Sequence, residues 1–447
     1  MIRKTILLVS TLVFSMITLA QQPSNVTGTT DPAKVKRIGL FKVLNGRLKE
    51  IATSVPDAQG RFGFRFIPEY EGLYALGSGN ALSQQGVFRF YFKGNDDLHI
   101  RLTQSDYELT GKNTAENEAL YNWDKQSKSL HDKGTTPGGM STYVDFFPEV
   151  EEFKGKLDGI KKSVKTGNPN FDKFFPEIVD YDFAYYAISY LYMPRTAHPS
   201  KEEMSDFYTQ FNADRFLSPE LLKFPYGDRF MSNMIYRKLD LSTKPTFDQQ
   251  VAAIGPDVLK GQYVLQRLES ARSYSDFQEM NEAYKKYFTL PEQVDRAKAV
   301  EAKLVETKTG LPAFQFGYPD ITGKKTTLAD LKGKVVLVDM WATWCGPCRG
   351  EEPHWEKLNE EFKGKPVAFV GVSVDQDKPK WEAYVNEKKL KGIQLHAGSD
   401  NELSNAYKVN SIPRYILIDK QGNLISADSP RPSDPKLKAL LEEWSNK

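Results

Sequence analysis

The chain of 447 residues holds two cysteines, Cys345 and Cys348, with Gly346 and Pro347 between them. A chain that keeps only two thiols and sets them two residues apart uses them on each other, and the chemistry that follows is thiol-disulfide exchange. Just upstream, residues 334–341 form an apolar, β-branched run expected of a strand buried on both faces. Downstream, Trp355, Leu358 and Phe362 recur at helical spacing. The pair therefore falls at a strand-to-helix turn. Cys345 is expected at the helix N-terminus, where free N–H groups and the positive end of the dipole stabilise a thiolate. Cys348 lies one turn further in, within reach of a mixed disulfide on Cys345.

The rest of the chain must position this pair. A composition of 40% apolar and 12% aromatic residues is that of packed globular protein, and the length allows two or three domains. A net charge of +2, with no basic stripe among aromatics, excludes a nucleic-acid partner. Arg3 and Lys4 precede an apolar run ending near Leu19, with small residues before Gln21, so residues 1–20 read as a secretory signal. The run is shorter than the ~20 apolar residues of a bilayer span, and no transmembrane segment is expected after cleavage. The implied location is the periplasm or cell envelope, an oxidising compartment where two cysteines without structural partners strengthen the redox reading.

Residues 31–113 read as a small antiparallel β domain, with strands expected at 37–43, 47–54, 61–66, 72–76, 87–92, 98–102 and 107–110. Asn45-Gly46 fits a two-residue hairpin turn, and the alternating Phe62, Phe64 and Phe66 fit a strand with one buried face. Residues 114–308 turn helical, with helices expected at 150–164, 171–192, 201–211, 219–238, 247–253, 257–270, 274–288 and 291–306. Ser200 and Glu203 form a capping box. The aromatic run 181–192 reads as core, with an aromatic groove as the sharper alternative. His99 reads as structural, and His131 and His198 fall in expected loops without ligand-type neighbours at metal spacing, so no metal is expected. From 311 to 447 strands and helices alternate, giving a central mixed sheet covered on both faces. The fold class is thus multidomain α+β: an antiparallel β domain, an all-helical region and a C-terminal α/β domain.

Several separated motifs of this last segment stand in a familiar order. They are Leu331-Lys332-Gly333-Lys334, then Val338 through Arg349 with the cysteines, then Glu351 and Pro353, then Val372 through Asp375, and finally Ser411-Ile412-Pro413 before Tyr415 through Asp419. On these residues the segment resembles the thioredoxin superfamily, and within it the TlpA-like and ResA-like thiol-disulfide oxidoreductases of the bacterial envelope. The resemblance covers about a third of the chain and implies a thioredoxin fold. It also implies that Cys345 attacks, that Cys348 resolves, and that the two close a redox disulfide. Pro413 matches the family's cis-proline, with Ile412 pairing to a substrate strand; Asp339 matches the buried acid that takes the proton of Cys348; Glu351 matches the glutamate of the first helical turns. Trp344, Gly346 and Pro347 are expected to contribute substrate-contact surface, Trp341 to be core, and His354 to be exposed. Met340 stands where the family often has Phe, a tolerated core exchange. The implied partners are exported disulfide-containing proteins and a membrane electron donor of thiol-reductase type, and no cofactor is implied. The order of β, helical and thioredoxin-like segments resembles multidomain secreted proteins of Bacteroidetes-type bacteria.

Three functions compete. The first is a protein-disulfide reductase, since Gly346-Pro347 resembles the dipeptide of reducing thioredoxins, near −270 mV against about −120 mV for strong oxidants. The second is a thiol peroxidase, disfavoured because Ala342 stands where a peroxidatic cysteine needs a threonine. The third is a partner-binding or scaffolding protein in which the β and helical regions hold a partner and the thioredoxin-like domain is accessory.

Overall fold

The computed structural model describes residues 22–81, 85–137, 141–195, 197–239 and 243–447; the expected signal, residues 1–20, lies outside the described residues. The chain divides into two compact units, Met1–Pro256 and Asp257–Lys447. The helical stretch 114–308 is therefore shared between them.

The first unit opens with eight strands: β1 (Ser24–Thr30), β2 (Ile38–Leu44), β3 (Arg47–Ser54), β4 (Arg61–Phe66), β5 (Gly72–Gly77), β6 (Val87–Phe92), β7 (Asp97–Leu102) and β8 (Tyr107–Leu109). They form two four-stranded sheets, in the orders β4-β1-β7-β8 and β3-β2-β5-β6. Val26, Leu40, Phe62, Leu76, Phe90 and Ile100 meet in one apolar core drawn from both sheets. Asn45 and Gly46 both have positive φ, 50° and 82°, as a tight hairpin between β2 and β3 requires. Two features depart from the sequence expectation. The domain includes β1, and β1 runs parallel to β7 while lying antiparallel to β4, so the sheet is not wholly antiparallel.

Helices follow: α1 (Ala115–Thr135), α2 (Tyr143–Ser163), α3 (Pro169–Tyr190), α4 (Asp206–Thr209), α5 (Gly227–Lys238) and α6 (Phe247–Ala252). The aromatic run lies largely within α3, and every residue from Tyr181 to Tyr190 is buried. Asp182 is fully buried there because four donors meet it: the Arg89 guanidinium twice, Trp123 Nε1 at 2.6 Å and the Tyr226 hydroxyl at 2.6 Å. His131 sits in α1, one continuous helix from Ala115 to Thr135, and not in the loop expected for it. The expected helix over 201–211 shrinks to α4: Glu203 does accept the Ser200 N–H at 2.7 Å, but the chain only turns there before Ser205.

The second unit begins with α7 (Asp257–Leu268), α8 (Tyr274–Tyr284) and α9 (Pro291–Leu304) and continues through two short strands, β9 (Gly317–Pro319) and β10 (Lys325–Thr327). Its main elements are β11 (Val335–Trp341), α10 (Gly346–Glu361), β12 (Val367–Ser373), α11 (Lys378–Lys388), β13 (Ile393–His396), α12 (Glu402–Ala406), β14 (Arg414–Ile418), β15 (Leu424–Ser426) and α13 (Pro435–Asn446). The sheet order is β13-β12-β11-β14-β15, with β11, β12 and β13 parallel and β14 and β15 antiparallel. Side chains of β11 alternate between two cores. Val336, Val338 and Met340 join Leu403 and Tyr407 on one side, whereas Val335 and Leu337 join Trp355 and Leu358 of α10 and Leu437 and Leu441 of α13 on the other. Asp339 shares the parity of Val335 and Leu337, so the same alternation sends a carboxyl toward the face that α10 covers.

Candidate active site

Cys345 is the N-cap of α10, and Cys348 lies in its first turn. Pro347 belongs there because the first turn needs no N–H from it and its ring already holds a helical φ. The two sulfurs are bonded at 2.03 Å, and Cys345 Sγ also accepts the Cys348 N–H at 3.2 Å. Both cysteines are buried, in a cluster with Trp341, Ala342, Trp381 and Val385. Trp344, by contrast, is 63% exposed, and Gly346 and Pro347 are exposed beside it, so the rim of the disulfide presents contact surface. Trp341 is core and His354 is exposed.

The turn before Cys345 is held from β12. Asp375 accepts from the Thr343 N–H at 2.9 Å, the Thr343 hydroxyl at 2.7 Å and the Ser373 hydroxyl at 2.8 Å. All three residues are buried, so these bonds fix the backbone one residue before the exposed tryptophan. Asp375 stands in the Val372–Asp375 motif, but no spacing in the sequence points to this task; only its partners in the folded chain do.

Beneath the helix, Asp339, Trp341, Cys348, Glu352, Trp355 and Leu390 line a narrow cavity of about 20 Å³, room for one water molecule. Asp339 Oδ1 is enclosed and has no hydrogen-bond partner among the described residues. Burial pushes the Asp339 carboxyl well above the usual carboxylate range, and the negative charges of Glu351 and Glu352 push it further the same way. Across the ladder from Asp339 stands Tyr415, whose buried hydroxyl also lacks a hydrogen-bond partner among the described residues. Burial raises that hydroxyl, with Asp339 and Glu351 adding to the effect. Glu351 is itself buried and is bound by one residue of the loop before α13: its two oxygens accept the Ser433 N–H and hydroxyl, each at 2.9 Å. Glu352 accepts from the Tyr384 hydroxyl at 2.7 Å; burial and that bond push the hydroxyl up to about 12.

The Ile412–Pro413 peptide bond is cis, and Ile412 packs against the cysteine cluster. The structure thus brings Asp339, Cys345, Cys348, Glu351 and Ile412-Pro413 into one region and leaves Trp344, Gly346 and Pro347 on its rim. It adds a group that local spacing does not reveal. Arg272, between α7 and α8, donates from Nη2 to the Pro413 carbonyl at 3.3 Å and pairs with Asp428 at 3.2 Å. Arg414, next to Pro413 and fully buried, donates to the Arg272 carbonyl at 2.9 Å and to the Ala427 carbonyl at 3.2 Å. Burial brings the Arg414 guanidinium down to about 10, while Asp428 opposes that shift.

The redoxin family profile matches residues 306–441. Among characterised proteins, the thiol-disulfide oxidoreductase ResA of Bacillus thuringiensis (strain Al Hakam) is 31% identical over 134 residues, 30% of this chain and 77% of the relative. ResA of Bacillus subtilis (strain 168) is 33% identical over 129 residues, 28% of this chain and 70% of the relative. The crystal structure of the thioredoxin domain of a thiol-disulfide oxidoreductase from Bacteroides vulgatus is 30% identical and covers 31% of this chain and 99% of that one, with a TM-score of 0.29. The segment so matched is the one that carries the Cys345–Cys348 disulfide, and through it the chain belongs to the redoxin family as a thiol-disulfide oxidoreductase.

Proposed function

We propose that the protein is an exported reductase of disulfides in other envelope proteins, working through the Cys345/Cys348 dithiol. The observation that carries this reading is the position of Cys348, in the first turn of α10 and lining one narrow cavity with Asp339, whose enclosed Oδ1 has no hydrogen-bond partner among the described residues. In the reduced protein the Cys345 thiolate attacks one sulfur of a substrate disulfide. A mixed disulfide forms, and the other substrate sulfur leaves as a thiol after taking a proton. Asp339, ionised, then takes the proton of Cys348. The Cys348 thiolate attacks Cys345 Sγ, the Cys345–Cys348 disulfide closes, and the second substrate sulfur departs with a proton. Two electrons and two protons have passed to the substrate, and a membrane electron donor of thiol-reductase type restores the dithiol.

Ile412 and Pro413 supply the backbone edge along which an extended substrate aligns, and Trp344, Gly346 and Pro347 supply contact surface around it. Glu351 acts on Asp339 through its charge. Export rests on the signal read in residues 1–20; among the described residues no helix is long and apolar enough to cross a membrane.

A Cys348→Ala variant tests the scheme. Expressed in an envelope, it is expected to accumulate mixed disulfides on Cys345 that a reductant releases. A measured potential above about −150 mV, closer to strong oxidants than to reducing thioredoxins, would overturn the direction of transfer. Absence of any Cys345 adduct would overturn the enzymatic reading of exported substrates altogether.

A further inference from the structure

The first unit holds a cavity of about 890 Å³, at the upper end of the range for ligand sites. One wall is β6, the edge strand of its sheet. The ladder with β5 fixes which backbone groups of β6 point away from the sheet. Gly86 O accepts the Ser78 N–H at 3.0 Å, so even-numbered residues face β5 and Val87, Arg89 and Tyr91 face outward. At Tyr91 the outward pair is closed: its N–H donates to Asn117 Oδ1 at 2.8 Å and its carbonyl accepts from Asn117 Nδ2 at 3.0 Å. The buried amide of Asn117, on α1, thus does for Tyr91 what a neighbouring strand would do.

Beyond Asn117 the same helix lines the cavity with Asp124, Ser127, Lys128 and His131. The outward N–H and C=O of Val87 and Arg89 take no partner among the described residues. They repeat at two-residue spacing, about 6.8 Å along the strand. The Tyr186 side chain, 95% buried on the floor of the cavity, carries a hydroxyl with no hydrogen-bond partner among the described residues. The charges around it are already matched: Arg89 with Asp182 and Asp124, Lys125 with Asp106, and Lys128 with Asp132.

We propose that this cavity binds an extended polypeptide segment, which adds as a strand to the open edge of β6 at Val87 and Arg89. The unmet groups on this edge are backbone donors and acceptors at strand spacing, which an extended peptide matches and a sugar or a compact anion does not. Paired side-chain charges leave no strong preference for a charged ligand, so recognition falls on the backbone and tolerates many sequences. The site asks nothing of the cysteines and stands independently of the direction of thiol exchange.

The test uses the full chain and a fluorescein-labelled, reduced and S-carboxymethylated α-lactalbumin, an unfolded polypeptide whose blocked thiols cannot form mixed disulfides. Fluorescence anisotropy is expected to show saturable binding. Hydrogen exchange is expected to slow within residues 85–92 when the probe is added. Val87→Pro removes an outward N–H that the β5 ladder does not use, a position where an edge strand tolerates proline; it is expected to weaken binding at least about tenfold. Tyr186→Phe is expected to weaken it by about threefold, the worth of one hydrogen bond. Both variants should retain wild-type rates of dithiol oxidation, and wild-type hydrogen exchange within α3 of the first unit reports that they are folded. Unchanged exchange in residues 85–92 of the wild-type chain at saturating probe would overturn the proposal. So would equal affinity in folded Val87→Pro, or protection of the same segment by cellohexaose in place of the polypeptide.

Discussion

Arg272 donates to the carbonyl of Pro413 while its own carbonyl accepts from Arg414, so a residue of the α7–α8 loop grips both residues at the start of β14. The Asp428 carboxylate completes the clasp, facing Arg272 at 3.2 Å and Arg414 at 3.5 Å. The helices before the thioredoxin-like sheet thereby reach the cis-proline, which a free-standing domain would have to hold by its own packing.

Replacing Arg272 with Ala is expected to cost about 1–3 kcal/mol of stability, since a buried carbonyl and a partly buried carboxylate lose a donor. The informative readout is kinetic. KM for a protein disulfide should rise several-fold, while oxidation of a small dithiol, which needs no aligned backbone, keeps its rate. Equal losses on both substrates would reduce Arg272 to a structural brace.

Asp339 links the mechanism to pH. Its carboxyl is held well above the usual range, so between its unfolded and folded values the native state binds more protons than the unfolded state. Stability contributed by the protonated group is complete below the unfolded value near 3.9 and is lost as pH rises to the folded value. Asp339→Asn removes that loss. Its melting temperature should exceed the wild type's at pH 7, and the gain should vanish on acidification to about pH 4. Closure of the Cys345–Cys348 disulfide from a mixed disulfide should slow by about a hundredfold, the usual worth of a positioned base. Stopped-flow measurement of that step checks the second half; an unchanged rate would remove Asp339 from proton transfer.

The burial of Asp339 was legible in advance because it is a carboxyl inside an apolar strand, six residues before the first cysteine of a strand-to-helix turn, at the position of the buried acid in the resembling family. Arg272 was not legible, since 141 residues separate it from Pro413 and its neighbours read as an ordinary helical connection. Strand β1 failed for another reason. Ser24-Asn25-Val26-Thr27-Gly28-Thr29-Thr30 offers a single large apolar side chain, and what makes it a strand is placement between β4 and β7. The short α4 shows the converse, a capping pair that formed without enough buried face to carry a helix past it.

Asp375 should prove more sensitive than its distance from the sulfurs suggests. Its carboxylate accepts three hydrogen bonds in a buried setting, and Asp375→Asn turns one acceptor into a donor facing donors. A loss of about 1–3 kcal/mol in urea unfolding is expected. The Thr343 amide should also exchange faster with solvent, and attack by Cys345 should slow even under conditions where the variant is fully folded. A folded variant with wild-type exchange at Thr343 would show that the turn before Trp344 holds itself.

Glu351 separates the electrostatic from the structural part of the site. Its negative charge raises Asp339, and its two oxygens also hold Ser433. Glu351→Gln keeps one acceptor for Ser433 and removes the charge, so the cost in stability should stay near 1 kcal/mol. Asp339 should then ionise at lower pH, and the pH profile of disulfide closure should shift toward acid with its plateau rate little changed. In the Asp339→Asn background the same substitution should leave the profile where it was, because the group that Glu351 acts on is gone. A shift that survives in that background would mean that Glu351 acts on Cys348 directly.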